Sequence, residues 1–313
     1  MLGDEELALR RSIIAEHLGR DSDALELARQ ASAAAPGRRD LLMRVQELAT
    51  RLGETALALT AARAVLELVP LDDDEALLAT HFALVDLYRT LGDLDSAVHQ
   101  LDRIVRSHPH HAYAIEQLSE VYIAKNDWPT AARYLYQLVP LAPSPHERAV
   151  RLYRLGEVVL LHLGDVDRAD DVFLRASDLD PTHVPTLRRL LDVYWRADDP
   201  ASLHDVSSQL AGSGALASGQ VARTSVAQAL IAAALVGDTN LAGKLVAALG
   251  DEASTRIAEA LAELVDRPKA TGGRRFELKS AATAVAELGR RNLLDLTKLR
   301  QAAAGTPVEA ELG

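Results

Sequence analysis

The chain has 313 residues, of which 48% are hydrophobic and 25% charged, with a net charge of −11 and no cysteine. The missing cysteine excludes disulfides, thiolate catalysis and cysteine-ligated zinc, and the acidic balance disfavours non-specific binding to nucleic acid or an anionic membrane. Aromatic residues make up only 4%, so the apolar content rests on Ala, Leu and Val, and the first two are strong helix formers.

The N-terminus is acidic from Asp4 onward and has no basic stretch leading into an apolar run, so no signal peptide is read there. No segment reaches 18 uncharged apolar residues, and no membrane span is expected. The excess of arginine over lysine suggests a GC-rich bacterial genome, and the expected location is cytoplasmic.

Along the first two thirds of the chain a unit recurs. Pro36, Pro70, Pro109, Pro143 and Pro181 are spaced 34, 39, 34 and 38 residues apart. Twelve residues before each proline stands Ala24, Ala58, Ala97, Ala131 or Ala169. Five residues before each alanine stands Gly19, Gly53, Gly92, Asn126 or Gly164. Gly or Asn just after an apolar-periodic segment supplies the left-handed residue that ends a helix. A small alanine early in the next helix permits close helix approach, and a proline stops that helix. Each unit therefore reads as helix, tight turn, helix, stop. Neither helix can bury its apolar face alone, so the units must stack.

Repeats are assigned at 5–38, 39–72, 78–111, 112–145, 150–183 and 184–217, making residues 1–217 one array. Insertions of five and four residues precede the third and fifth repeats, at 73–77 and 146–149. Asp72 to Glu75 place carboxylates at a helix start, and Ser144-Pro145-His146-Glu147 reads as a capping box. The insertions should therefore lengthen the first helices by about one turn. In the sixth repeat the alanine is replaced by Leu203 and the proline is lost. Residues 218–304 read as degenerate repeat-like helices and a C-terminal cap, and 305–313 as a disordered tail.

The spacing of Tyr88, Gly92, Ala97, Leu101 and Pro109, and of Tyr122, Ala131, Leu135 and Pro143, resembles the tetratricopeptide repeat. That resemblance implies an all-α fold, a right-handed α-solenoid of stacked antiparallel helix pairs. It also implies a groove lined by the first helices, at positions two, five, nine and twelve of each repeat, that takes a peptide or helix. Those positions supply Met43 and Phe82 as apolar anchors, with Glu47, Asp86, Glu116 and Glu120 as an acidic middle. Further along come Arg151, Arg154, Arg188 and Arg196, around Trp195. Family members that clamp a terminal carboxylate use Asn with Lys or Arg. Glu47, Asp86 and Glu120 stand where that Asn would, so no such clamp is expected, and a ligand with a basic and an acidic end is.

No GxSxG, HExxH or P-loop pattern is present. The glycines of Ala211–Gly219 follow a helix and read as a turn, and Arg267, Lys269, Arg274, Arg275 and Lys279 read as a polar loop. His108, His110 and His111 flank Pro109 and read as a solvated turn. No metal, cofactor or nucleic acid is expected. The expected function is a protein–protein scaffold or adaptor. The alternative is a regulatory or assembly segment of a larger protein, and an enzyme built on the solenoid ranks last.

Overall fold

The computed structural model describes residues 3–197 and 199–213, with 228–233, 238, 240, 241 and 244. The expected helices and loop beyond 244, the tail and most of 214–243 lie outside the described residues. The chain forms two compact units, residues 1–141 and 142–313. Among the described residues there is no strand; the fold is all-α, an α-solenoid of paired helices.

Unit 1 contains four antiparallel pairs: α1 (Asp4–His17) with α2 (Asp21–Ala34), α3 (Arg39–Arg51) with α4 (Thr55–Leu68), α5 (Asp74–Thr90) with α6 (Leu94–Ser107), and α7 (Ala112–Ala124) with α8 (Trp128–Leu138). In unit 2, α9 (Pro145–Val158) pairs with α10 (Val166–Leu179), and α11 (Val184–Arg196) with α12 (Pro200–Gly212). The second helix of one pair packs on the first helix of the next within each unit.

The turns inside the pairs follow one scheme. Gly19, Gly53, Gly92, Asn126 and Gly164 have φ between 57° and 75°, and no other described residue has positive φ. At α1 the N–H of Arg20 donates to Ala15 O at 2.9 Å and that of Gly19 to Glu16 O at 2.8 Å. This is the paired hydrogen bonding of a Schellman cap. The same six-residue closure recurs from Glu54 to Ala49, Asp93 to Tyr88 and Asp127 to Tyr122. The side chains of Asp93, Asp127 and Asp165 then each accept a backbone N–H three residues on, at 3.1–3.2 Å, capping the second helices.

The turn delivers an alanine against the first helix. Ala24, Ala58, Ala97, Ala131 and Ala169 are all 0% exposed. They sit in a core of leucines and isoleucines, among them Leu41, Leu48, Leu84, Leu101, Ile104, Ile115 and Leu118.

Both insertions are helical. α5 has 17 residues where α3 and α7 have 13, and Asp73 caps it through Ala76 N. α9 starts at Pro145, with the Ser144 hydroxyl accepting from Glu147 N at 3.1 Å. At its far end comes a feature the sequence pattern does not signal. Val159–Leu163 is π-helical, and Asp165 N reaches Val159 O, six residues back rather than five. One extra residue is thus absorbed before Gly164.

The lengthened helices also reach the end of their own pair. His108 Nε2, just past α6, lies 2.8 Å from Asp74 Oδ2, and His146 Nδ1 lies 2.5 Å from Asp180 Oδ2, just past α10. Both of these helix pairs are thereby tied at their open ends.

Gly156 marks a close approach between α9 and α10. A Cβ there would lie 2.5 Å from the ring of Phe173, itself 1% exposed. Gly156→Ala gains helix propensity but drives a methyl into a buried ring. Overpacking costs about 1–3 kcal/mol against a propensity gain of roughly 1. The variant should lose about 1 kcal/mol of unfolding free energy in urea titration, and Phe173→Leu in the same chain should restore part of it.

Candidate functional site

The helical register that buries Leu41, Val45 and Leu48 on α3 leaves Met43 and Glu47 outward, with Met43 51% exposed. They share a shallow depression with Asp40, Arg44, Gln46, Thr50 and Arg51. Glu47 is not a bare charge: Arg51 Nη2 donates to its Oε1 at 3.1 Å. Arg51 also donates to Glu16 Oε1 at 2.6 Å, and Arg44 to Glu16 Oε2 at 2.8 Å. The hydrogen bonds from Arg44 and then Arg51 hold the Glu16 carboxyl below the ordinary carboxylate range.

On α5, Phe82 is half-buried and Asp86 exposed one turn further on. The Phe82 ring lies 5.1 Å from that of Tyr113 and 5.4 Å from that of His111, tilted in both cases. Tyr113, at position two of its repeat, is 52% exposed. Glu116 and Glu120 follow on the same helix and are half-buried. Arg89 Nη2 lies 3.7 Å from Glu120 Oε2, and Arg89 Nη1 donates to Gln117 Oε1. The three carboxylates standing at the position of the clamp asparagine are therefore unequal. Glu47 and Glu120 are paired with arginines, whereas Asp86 makes no salt bridge among the described residues.

In unit 2, Arg151 and Arg154 on α9 and Arg188 on α11 are half-buried. Beside them Arg189 grips Glu157 with two hydrogen bonds, Nε to Oε1 at 2.6 Å and Nη2 to Oε2 at 2.8 Å. Trp195 corrects the sequence expectation. It is 0% exposed and extends a ridge of buried residues four apart, Leu187, Leu191 and Trp195. The indole is buried and offers no surface to a partner. The side chain of Arg196 lies outside the described residues.

Two groups that sequence reading passes over belong to the site. Tyr113 follows from the position-two rule but is not singled out by residue type. Arg51 and Arg89 reveal their roles only through pairs formed in space. The histidine turn is also more than solvated. His111 Nδ1 accepts from Ala114 N at 3.2 Å and caps α7, and His108 ties back to Asp74. Among the described residues no three His, Asp or Glu are arranged to hold a metal, and no helix is long and apolar enough to cross a membrane.

Residues 82–145, from Phe82 on α5 to the start of α9, match the family model described as tetratricopeptide repeat. No curated protein matches the sequence. Among solved structures the chain is similar to MamA 41-end from Desulfovibrio magneticus RS-1, with 18% identity, 58% of this chain and 98% of that one covered, and a TM-score of 0.42. It is similar to YrrB, described as a TPR protein with an unusual peptide-binding site, with 14% identity, 58% and 90% coverage, and a TM-score of 0.41. For TTC0263, a thermophilic TPR protein in Thermus thermophilus, the figures are 24%, 59%, 96% and 0.30.

The carboxylate at the end of α10 supplies a pH test. Asp180 accepts from Thr182 Oγ1 at 2.7 Å and from Thr182 N at 2.9 Å, and it pairs with His146. The Thr182 hydroxyl and then His146 pull its pKa from 3.8 to about 2. A carboxylate depressed in the folded state stabilises above its unfolded pKa, and that contribution is lost as pH falls through the folded value. Asp180→Asn should therefore lower stability at pH 7 and flatten the acid-unfolding profile between about pH 4 and 2, read by circular dichroism.

Proposed function

We propose that the chain is a protein-interaction scaffold, and that it holds a peptide or helix of a partner protein on the face formed by its first helices. The observation that carries this is the state of Met43, Phe82 and Tyr113. These large apolar side chains stand wholly or partly outside the core, at register positions the stacking does not use, and charged groups surround them. Exposed apolar surface rimmed by charge favours partner binding.

The six repeats read over residues 5–217 form the proposed array. On unit 1 the face suits a segment that is apolar and basic, anchored at Met43 and Phe82 and bounded by Glu47, Asp86, Glu116 and Glu120. On unit 2, Arg151, Arg154, Arg188 and Arg196 suit an acidic segment. The reading assigns the chain no reaction of its own, and a cytoplasmic setting fits it.

Crosslinking capture tests this, using the wild-type chain and a Glu47→Lys, Asp86→Lys, Glu120→Lys triple variant, with the captured proteins identified by mass spectrometry. A partner recovered with the wild type should drop at least about tenfold with the variant, since rim and groove charges steer encounter. Circular dichroism should show the same helicity in both chains. An unchanged set of partners would refute the proposed face.

A further inference from the structure

On the face of unit 1 a partly exposed aromatic side chain shares one helix face with a carboxylate that has no partner among the described residues. Phe82 and Asp86 lie four residues apart on one face of α5, so the carboxylate stands one turn beyond the ring. Tyr113 joins from α7, its ring 5.1 Å from that of Phe82 and half exposed. The nearest cation along the same helix is Arg89, three residues past Asp86, but its guanidinium is engaged by Glu120 and Gln117. Arg51, on α3, is engaged by Glu16 and Glu47. The other carboxylates at the equivalent position are therefore already answered, and Asp86 is answered by nothing among the described residues.

We propose that Phe82, Tyr113 and Asp86 form a subsite for an arginine side chain of the partner, its guanidinium stacked on the Tyr113 ring and hydrogen-bonded to Asp86. Two features select arginine. A flat guanidinium stacks on an aromatic face better than a compact ammonium does, and its fork matches a carboxylate bidentately. It is also less strongly hydrated than an ammonium, so it loses less to desolvation on settling against a partly exposed ring. Tyr113 packs its ring against that of Phe82 at a 55° tilt and remains half exposed, so aromatic surface is left for the guanidinium. The inference rests on the proposed peptide-binding role of this face and specifies one side chain of the ligand.

The test uses peptides selected from a random dodecamer phage library on the full chain. The selected sequence is then synthesised with its arginine intact and with that arginine replaced by lysine, by alanine or by citrulline, the neutral isostere. Affinities are measured by fluorescence anisotropy on the wild type, Asp86→Asn and Tyr113→Leu. The expected result is enrichment of arginine in the selected peptides. Citrulline should weaken binding about tenfold on the wild type, a factor typical of losing one charge-assisted contact, and much less on Asp86→Asn. Lysine should recover only part of the loss. Peptides that bind equally well with citrulline, or whose affinity Asp86→Asn leaves unchanged, would overturn the arginine subsite while leaving the peptide-binding face intact. A library that yields no binding peptide, or only peptides indifferent to both Met43→Ser and Tyr113→Leu, would overturn the binding face itself and the subsite with it.

Discussion

The close approach of the two helices in each pair is the constraint on which the rest of this structure depends. Five times a residue with φ near +57° to +75° reverses the chain, and five times an alanine five positions later is fully buried against the preceding helix. A side chain larger than a methyl at that point must push the helices apart or shift their register. The sixth pair shows the alternative: Leu203 takes the place of the alanine and is itself buried. Once the pair is closed in this way, the residues of the first helix are sorted. Those facing the alanine and the neighbouring pair are core, and those at the remaining register positions are released for other work.

That sorting explains how much is legible in the sequence. The turns, the caps and the helical nature of the two insertions are local chemistry, and Gly92, Asp93 and Ser144 announce them by residue type and spacing. The candidate face is legible only in outline. Charge type and register put Glu47, Asp86 and Glu120 on one stripe, but nothing in the sequence pairs Glu120 with Arg89 or Glu47 with Arg51, because such pairs depend on rotamers and on the offset between helices. Trp195 escapes the register rule for a related reason. In its helix the buried stripe takes in position twelve, which in the earlier repeats stays outside the core. The π-helix at Val159–Leu163 is invisible in the sequence because one extra apolar residue leaves no mark on composition.

The electrostatic picture changes accordingly. A stripe of carboxylates on an acidic protein suggests a broad negative field that would draw any cation. The arginines interleaved with that stripe convert most of it into internal ion pairs, among them Glu16 with Arg44 and Arg51. The exposed pairs among these contribute little to stability. On the proposed binding face their larger consequence would be selectivity: they would remove non-specific attraction and leave Asp86, beside the Phe82–Tyr113 pair, as a discrete point of recognition. A narrow contact of this sort gives discrimination between partners more than raw affinity.

Hydrogen–deuterium exchange of the full chain, with and without a saturating selected peptide, tests the central claim most directly. If the first-helix face of unit 1 is the binding surface, protection should concentrate on peptides from α3, α5 and α7, with α4, α6 and α8 little changed. Protection on α4, α6 and α8 that left α3, α5 and α7 unaffected would contradict the account, because it would place the partner on the opposite face of the repeats.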